Sequence, residues 1–131
     1  MIEDVFVDNI EVATIIRNIK TNERVNFFTK PSDQLQIGAF NMKKGEKIQP
    51  HMHLENKREL FYTAEVLLVK KGILTVIFYS EKDVENRRHE LCAGDTILLK
   101  AGIHGFSISE DCEFIEIKQG PFTENLDKIK L

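Results

Sequence analysis

The chain has 131 residues, 42% of them apolar, and a formal net charge of −3 at neutral pH, which fits one globular domain with a core of its own. Lysines and glutamates are interspersed, so there is no basic stripe of the kind that tracks a nucleic-acid backbone, and apolar runs such as Val66-Leu67-Leu68-Val69 fall far short of a bilayer span. The start, Met1-Ile2-Glu3-Asp4, lacks the basic-then-apolar order of a secretory leader; with only Cys92 and Cys112 as thiols, a cytosolic protein with free, buried cysteines is expected.

Taken in order, the chain is a series of short β-rich runs separated by Gly, Asn, Asp and Lys turns, the pattern of an antiparallel sandwich or barrel rather than of βαβ units. Strands are expected over 10–17, 25–30, 35–43, 47–53, 61–70, 73–80, 87–92, 96–100, 104–108 and 112–119. In the first of these, Val12, Ile15 and Ile16 would also suit one face of a helix. Gln36 lies among Leu35, Ile37 and Phe40, where a buried amide would need partners and could hold a substrate; the alternative is an outward side chain on an edge strand. His51 and His53 share one face of the 47–53 run, about 6.5–7 Å apart along a strand, a spacing that two imidazoles can bridge onto one ion. The charged segment 54–64 carries Arg58, which could hold an anionic group over a barrel mouth, and could itself act as a lid or a dimer contact. Lys70-Lys71-Gly72 fits a tight hairpin, with the glycine supplying a positive φ.

The runs 61–69 and 73–80 are apolar on both alternating faces and therefore want cover on both. A second subunit would supply it, so a homodimer is expected. His89, flanked by Arg87, Arg88 and Glu90, reads as a surface residue. On 112–119, Phe114, Glu116 and Lys118 share one face while Ile115, Ile117 and Gln119 share the other. The simpler reading turns the isoleucines inward; the alternative puts Glu116 and Lys118 in the barrel mouth, as a proton-transferring acid and a substrate-holding ammonium. The tail from Pro121 to Leu131 is expected as a short helix or an extended arm.

Two motifs carry a family resemblance. Gly45, five residues, His51-Met52-His53, then Glu65, six residues and Gly72 resemble the first motif of the cupins, although eleven residues, Leu54 to Ala64, separate His53 from Glu65 where that motif has three or four. Glu55 and Glu59 are rivals for the acidic position, but Glu65 alone keeps the distance to the turn glycine. Gly94, five residues, then Lys100-Ala101-Gly102-Ile103-His104 resemble the second motif, with lysine in place of proline and one residue fewer before the histidine. The resemblance implies a single all-β domain over 1–131, a cupin-type double-stranded β-helix or jelly-roll barrel, with its motifs at about 45–72 and 94–108. It further implies one divalent transition metal ion held by His51, His53, Glu65 and His104. Three imidazoles and a carboxylate suit iron, manganese, nickel, cobalt or zinc, and affinity order does not choose among them.

One scaffold hosts many chemistries, so three functions follow as expectations. The first is a metal-dependent isomerase or epimerase of a small sugar-like or hydroxy-carbonyl substrate, resembling small cupins of polysaccharide biosynthesis, in which Glu65 or Glu116 moves the α-proton. The second is a non-haem Fe(II) dioxygenase. The third is a cupin that binds a sugar or anion without turning it over.

Overall fold

The computed structural model describes residues 1–124 and 128–131 and contains no helix among them. Eight strands account for its regular structure: β1 (Ile2–Val7), β2 (Ile10–Ile16), β3 (Val25–Phe27), β4 (Gly38–Phe40), β5 (Glu65–Tyr79), β6 (Glu85–Cys92), β7 (Thr96–Leu99) and β8 (Ile103–Lys118). Six form one antiparallel sheet in the order β1-β2-β7-β5-β6, with β8 also paired to β5, while β3 and β4 make a separate hairpin. The sheet curls strongly into a half-barrel. The expected all-β class therefore holds.

The curl starts at the amino end. Asp8 and Asn9 both adopt positive φ, 50° and 64°, and join Val7 to its partner Ile10. A two-residue turn of this kind matches the right-handed twist of the strands it links. β1 was not among the expected strands, although its Ile-Glu-Asp-Val-Phe-Val pattern buries Val5 and Val7 and the Asp-Asn pair signals the turn.

Strands β5 and β8 form the spine of the molecule. Glu65 to Leu68 lie between β7 on one side and the last residues of β8 on the other, and Ile73 to Tyr79 lie between β6 and the first residues of β8. The expected hairpin at Lys70-Lys71-Gly72 does not form: β5 runs through these residues as one strand, bent where its register with β8 shifts. Gly72 is required there for another reason. It has φ of 77°, and a Cβ on it would stand 1.9 Å from the carbonyl oxygen of Asp111. The runs expected as 104–108 and 112–119 are likewise a single strand that bends with β5.

The inner face of the curl carries the main core, with Val5, Ile15, Leu67, Val76, Phe78 and Ile97 all nearly inaccessible to solvent. On the outer face Val66 and Leu98 are covered by Ala64, Leu35 and Ile37, so part of the second apolar face is sheltered by the chain's own 29–37 loop. The curl is tied along its side by groups from β1 and β6 and by Arg17, which follows β2. Arg87 Nε donates to the Phe6 carbonyl at 2.8 Å, Arg17 donates to the Glu90 carbonyl, and His89 Nδ1 stands 3.5 Å from a Glu3 carboxylate oxygen. No described helix is long and apolar enough to cross a membrane.

Residues 47–53 form no strand and are exposed, as is nearly all of the stretch up to Thr63. Cys92 and Cys112 are free thiols, but Cys92 is exposed and Cys112 only half-buried, so the expectation of buried cysteines fails on position: both lie where a strand turns or bends. Asp95, by contrast, is buried in the turn before β7, where it accepts hydrogen bonds from the Asn18 and Cys92 N–H groups at 2.8 and 3.0 Å and from Arg17 at 3.2 Å. Burial pushes its carboxyl up, but these donors outweigh that and hold it below the ordinary carboxylate range. In the tail, no helix is present among the described residues, and 125–127 lie outside them.

Candidate functional site

Antiparallel register decides which side chains meet. Residues directly opposite each other point to the same face, and Glu65 is opposite both Leu99 of β7 and Lys118 of β8, while Leu67 is opposite Glu116 and Phe78 opposite His104. Because Leu67 and Phe78 belong to the inner core, Glu65, His104, Glu116 and Lys118 all stand on the concave face. The bends in β5 and β8 bring the two arms toward each other there. His104 Nε2 lies 3.7 Å from Glu65 Oε2, with both side chains largely shielded from solvent.

This turns Phe114, Glu116 and Lys118 to the concave face, which is open enough to leave Phe114 and Glu116 exposed, and Ile115 and Ile117 to the outer face, reversing the simpler sequence reading of 112–119. The outer isoleucines follow from pairing: their partners Leu68 and Val66 lie on the outer face of β5.

The carboxylates of this cluster are pushed apart. Glu65 is held below the ordinary carboxyl range, chiefly by the His104 imidazole beside it, against the opposing effect of burial. Glu116 is raised, by partial burial first and then by the charge of Glu65 beside it. Two carboxyls sharing one site rarely ionise together, and the one with the better donor ionises first. Lys118 adds positive charge near both, and its Nζ sits 5.6 Å from the centre of the Phe122 ring.

Two aromatic rings that the sequence reading passed over complete the face. Phe106 stands 5.5 Å from His104 and 6.1 Å from Phe114, centre to centre. Their positions opposite Val76 and Val69 put them on the inner face, and the alternation His104, Phe106, Ile108 along β8 was the signal available for finding them.

The remaining sequence candidates lie elsewhere. His51 and His53 keep the proximity that their spacing implies, with ring centres 5.3 Å apart, but on an exposed segment without regular structure, where His51 Nδ1 engages the Gln49 carbonyl at 2.9 Å. Arg58 is exposed on the same segment. Gln36 is exposed, and its amide ties its own loop: it accepts from Thr29 Oγ1 and donates to the carbonyls of Lys30 and Asp33, each at 2.9 Å. His89 is not the surface residue expected. It packs edge-on against Phe78, with ring centres 6.2 Å apart, and burial lowers its affinity for a proton, against the pull of Glu3.

Among the described residues, no three His, Cys, Asp or Glu side chains are grouped so as to hold a metal ion. The four groups expected as ligands thus divide into two pairs, Glu65 with His104 and His51 with His53. The donor arrangement in this structure does not fit a four-ligand ion. No family model, curated protein or solved structure matches the chain.

Proposed function

We propose that the chain is a cupin-type isomerase or epimerase of a small sugar-like substrate carrying a hydroxyl beside a carbonyl. The observation that supports this reading is the convergence of Glu65, Glu116 and His104 on the concave face, with the Glu65 carboxyl lowered by its neighbours and that of Glu116 raised by burial and by Glu65. Paired titratable groups driven apart by their surroundings are what proton shuttling at one carbon requires.

In the proposed sequence, Glu65 as carboxylate takes the proton from the carbon next to the carbonyl as that C–H bond breaks. The electron pair moves into the new C=C bond, and Glu116 gives its proton to the carbonyl oxygen, so that a neutral enediol forms. Isomerisation follows when the neighbouring hydroxyl gives its proton to the Glu116 carboxylate as it becomes the new carbonyl, while the former carbonyl carbon takes a proton from Glu65. Epimerisation instead needs the first carbon to take a proton from water on the face away from Glu65, as the enediol O–H returns its proton to Glu116 and Glu65 gives its own to the hydroxide left behind. His104 keeps Glu65 oriented and ionised between turnovers. Because the expected metal ligands are not brought together, no step runs through a metal ion.

The test is exchange of the substrate α-proton with solvent deuterium, followed by NMR across a panel of hydroxy-aldehyde and hydroxy-ketone sugars. Exchange is expected in the parent protein and is expected to fall by about 10²–10⁴-fold in Glu116→Gln, the usual contribution of a positioned acid or base. Absence of exchange with every member of the panel would remove the isomerase reading.

A further inference from the structure

Phe106 and Phe114 raise a question that the core does not answer. Their strand partners Val76 and Val69 are sealed from solvent, at 0% and 1% exposure, whereas the two rings retain 39% and 37%. They are tilted 55° to each other and together present an exposed apolar surface on the concave face. At one end stands His104, in contact with Phe106, and beyond it the Glu65 and Glu116 carboxyls. An exposed apolar surface rimmed by convergent polar groups is characteristic of a ligand site.

The chemistry of the rim narrows the ligand. A plain hydrocarbon would take water from the carboxyls and the imidazole without replacing its hydrogen bonds, and that would be costly. An open-chain polyol would satisfy them but has no flat apolar surface for the rings. A pyranose has both: one face of axial C–H groups, whose positive edges suit the negative face of an aromatic ring, and an equatorial belt of hydroxyls that donate to carboxylates. We propose that Phe106 and Phe114 form a stacking floor for the C–H face of a pyranose ring, with its hydroxyl edge turned toward Glu65, His104 and Glu116. The inference rests on the functional reading above for the identity of the reacting end, but it is a statement about binding and is tested without turnover.

The probes are methyl β-D-galactopyranoside and galactitol, the second retaining the polyhydroxyl character but not the ring. Binding is followed by saturation-transfer NMR to the sugar and by aromatic ¹H–¹³C shifts of labelled phenylalanine. The pyranoside is expected to bind with saturation concentrated on the C–H groups of one face, and galactitol is expected to bind more weakly. Phe106→Leu and Phe114→Leu preserve apolar bulk while removing the ring face, and each is expected to weaken pyranoside binding about three- to tenfold. Pyranoside binding undiminished in both leucine variants, equal binding of galactitol, or no binding by the parent protein would overturn the proposal. Two readouts on the parent protein separate the two readings: deuterium exchange reports the isomerase and pyranoside binding reports the floor. Pyranoside binding by a parent protein that exchanges no proton would sink the isomerase and leave the stacking floor standing.

Discussion

At the scale of single residues, what distinguishes the concave face is a pair of glutamates with opposite tendencies. Glu65 is lowered, so its contribution to stability is present above about 4.5 and is lost as pH falls through its folded value; Glu116 is raised, so its contribution is present below about 4.5 and is lost as pH rises. The two partly cancel in a stability curve, and site-resolved carboxyl ¹³C titration is the measurement that separates them. Glu116 is expected to titrate above Glu65, and Glu65→Gln is expected to bring Glu116 back toward 4.5, since the neighbouring charge is gone. If Glu116 did not move, its elevation would come from burial alone. His89 offers an independent pH test. Burial, the largest effect on it, lowers its folded value below 6.5, so the unfolded chain binds the proton first and the native state loses stability as pH drops from about 6.5 through the folded value. Urea midpoints between pH 7.5 and 5 are expected to decline more steeply in the parent than in His89→Gln; parallel slopes would mean that the ring is solvated in the native state.

At the scale of the strand, the bend shared by β5 and β8 does the positioning. Without it, Glu65 and His104 would lie at opposite ends of a flat sheet, because their strand positions are set by Leu99 and Lys118 in one case and by Phe78 in the other. Gly72 permits the close approach of the two chains at that bend, with left-handed backbone on one side and the Asp111 carbonyl on the other. Gly72→Ala is therefore expected to cost at least about 2 kcal/mol in a urea titration, and to shift the His104 ring resonances although the substitution is remote from them. A neutral effect would show that the bend is set elsewhere. The sequence marked Gly72 as a special backbone position but suggested the wrong structure for it. A turn glycine and a bend glycine both need positive φ; only the register with Asp111, which is remote in sequence, tells them apart.

For the whole molecule, the half-barrel defines an inside and an outside, and the expected metal set fails to assemble because it spans both regular and irregular parts of the chain. Glu65 and His104 are held by paired strands, whereas His51 and His53 lie on an exposed stretch with Met52 and Leu54 uncovered beside them. Exchange activity is accordingly expected to survive exhaustive chelation and dialysis, with elemental analysis confirming that transition metal is gone, and to be insensitive to His51→Ala. Loss of activity on chelation, restored by one divalent ion, would mean that the 47–54 segment docks against the concave face in the working protein. The sequence by itself determined the all-β character, the inward potential of the Glu65 and His104 runs and the proximity of His51 to His53, because alternation and near-neighbour spacing are local properties of the chain. It favoured the wrong face of β8, a turn rather than a bend at Gly72, and a surface position for His89. Those were decided by tertiary structure, since each depends on pairing between residues far apart in sequence, where a shift of one position exchanges inside for outside.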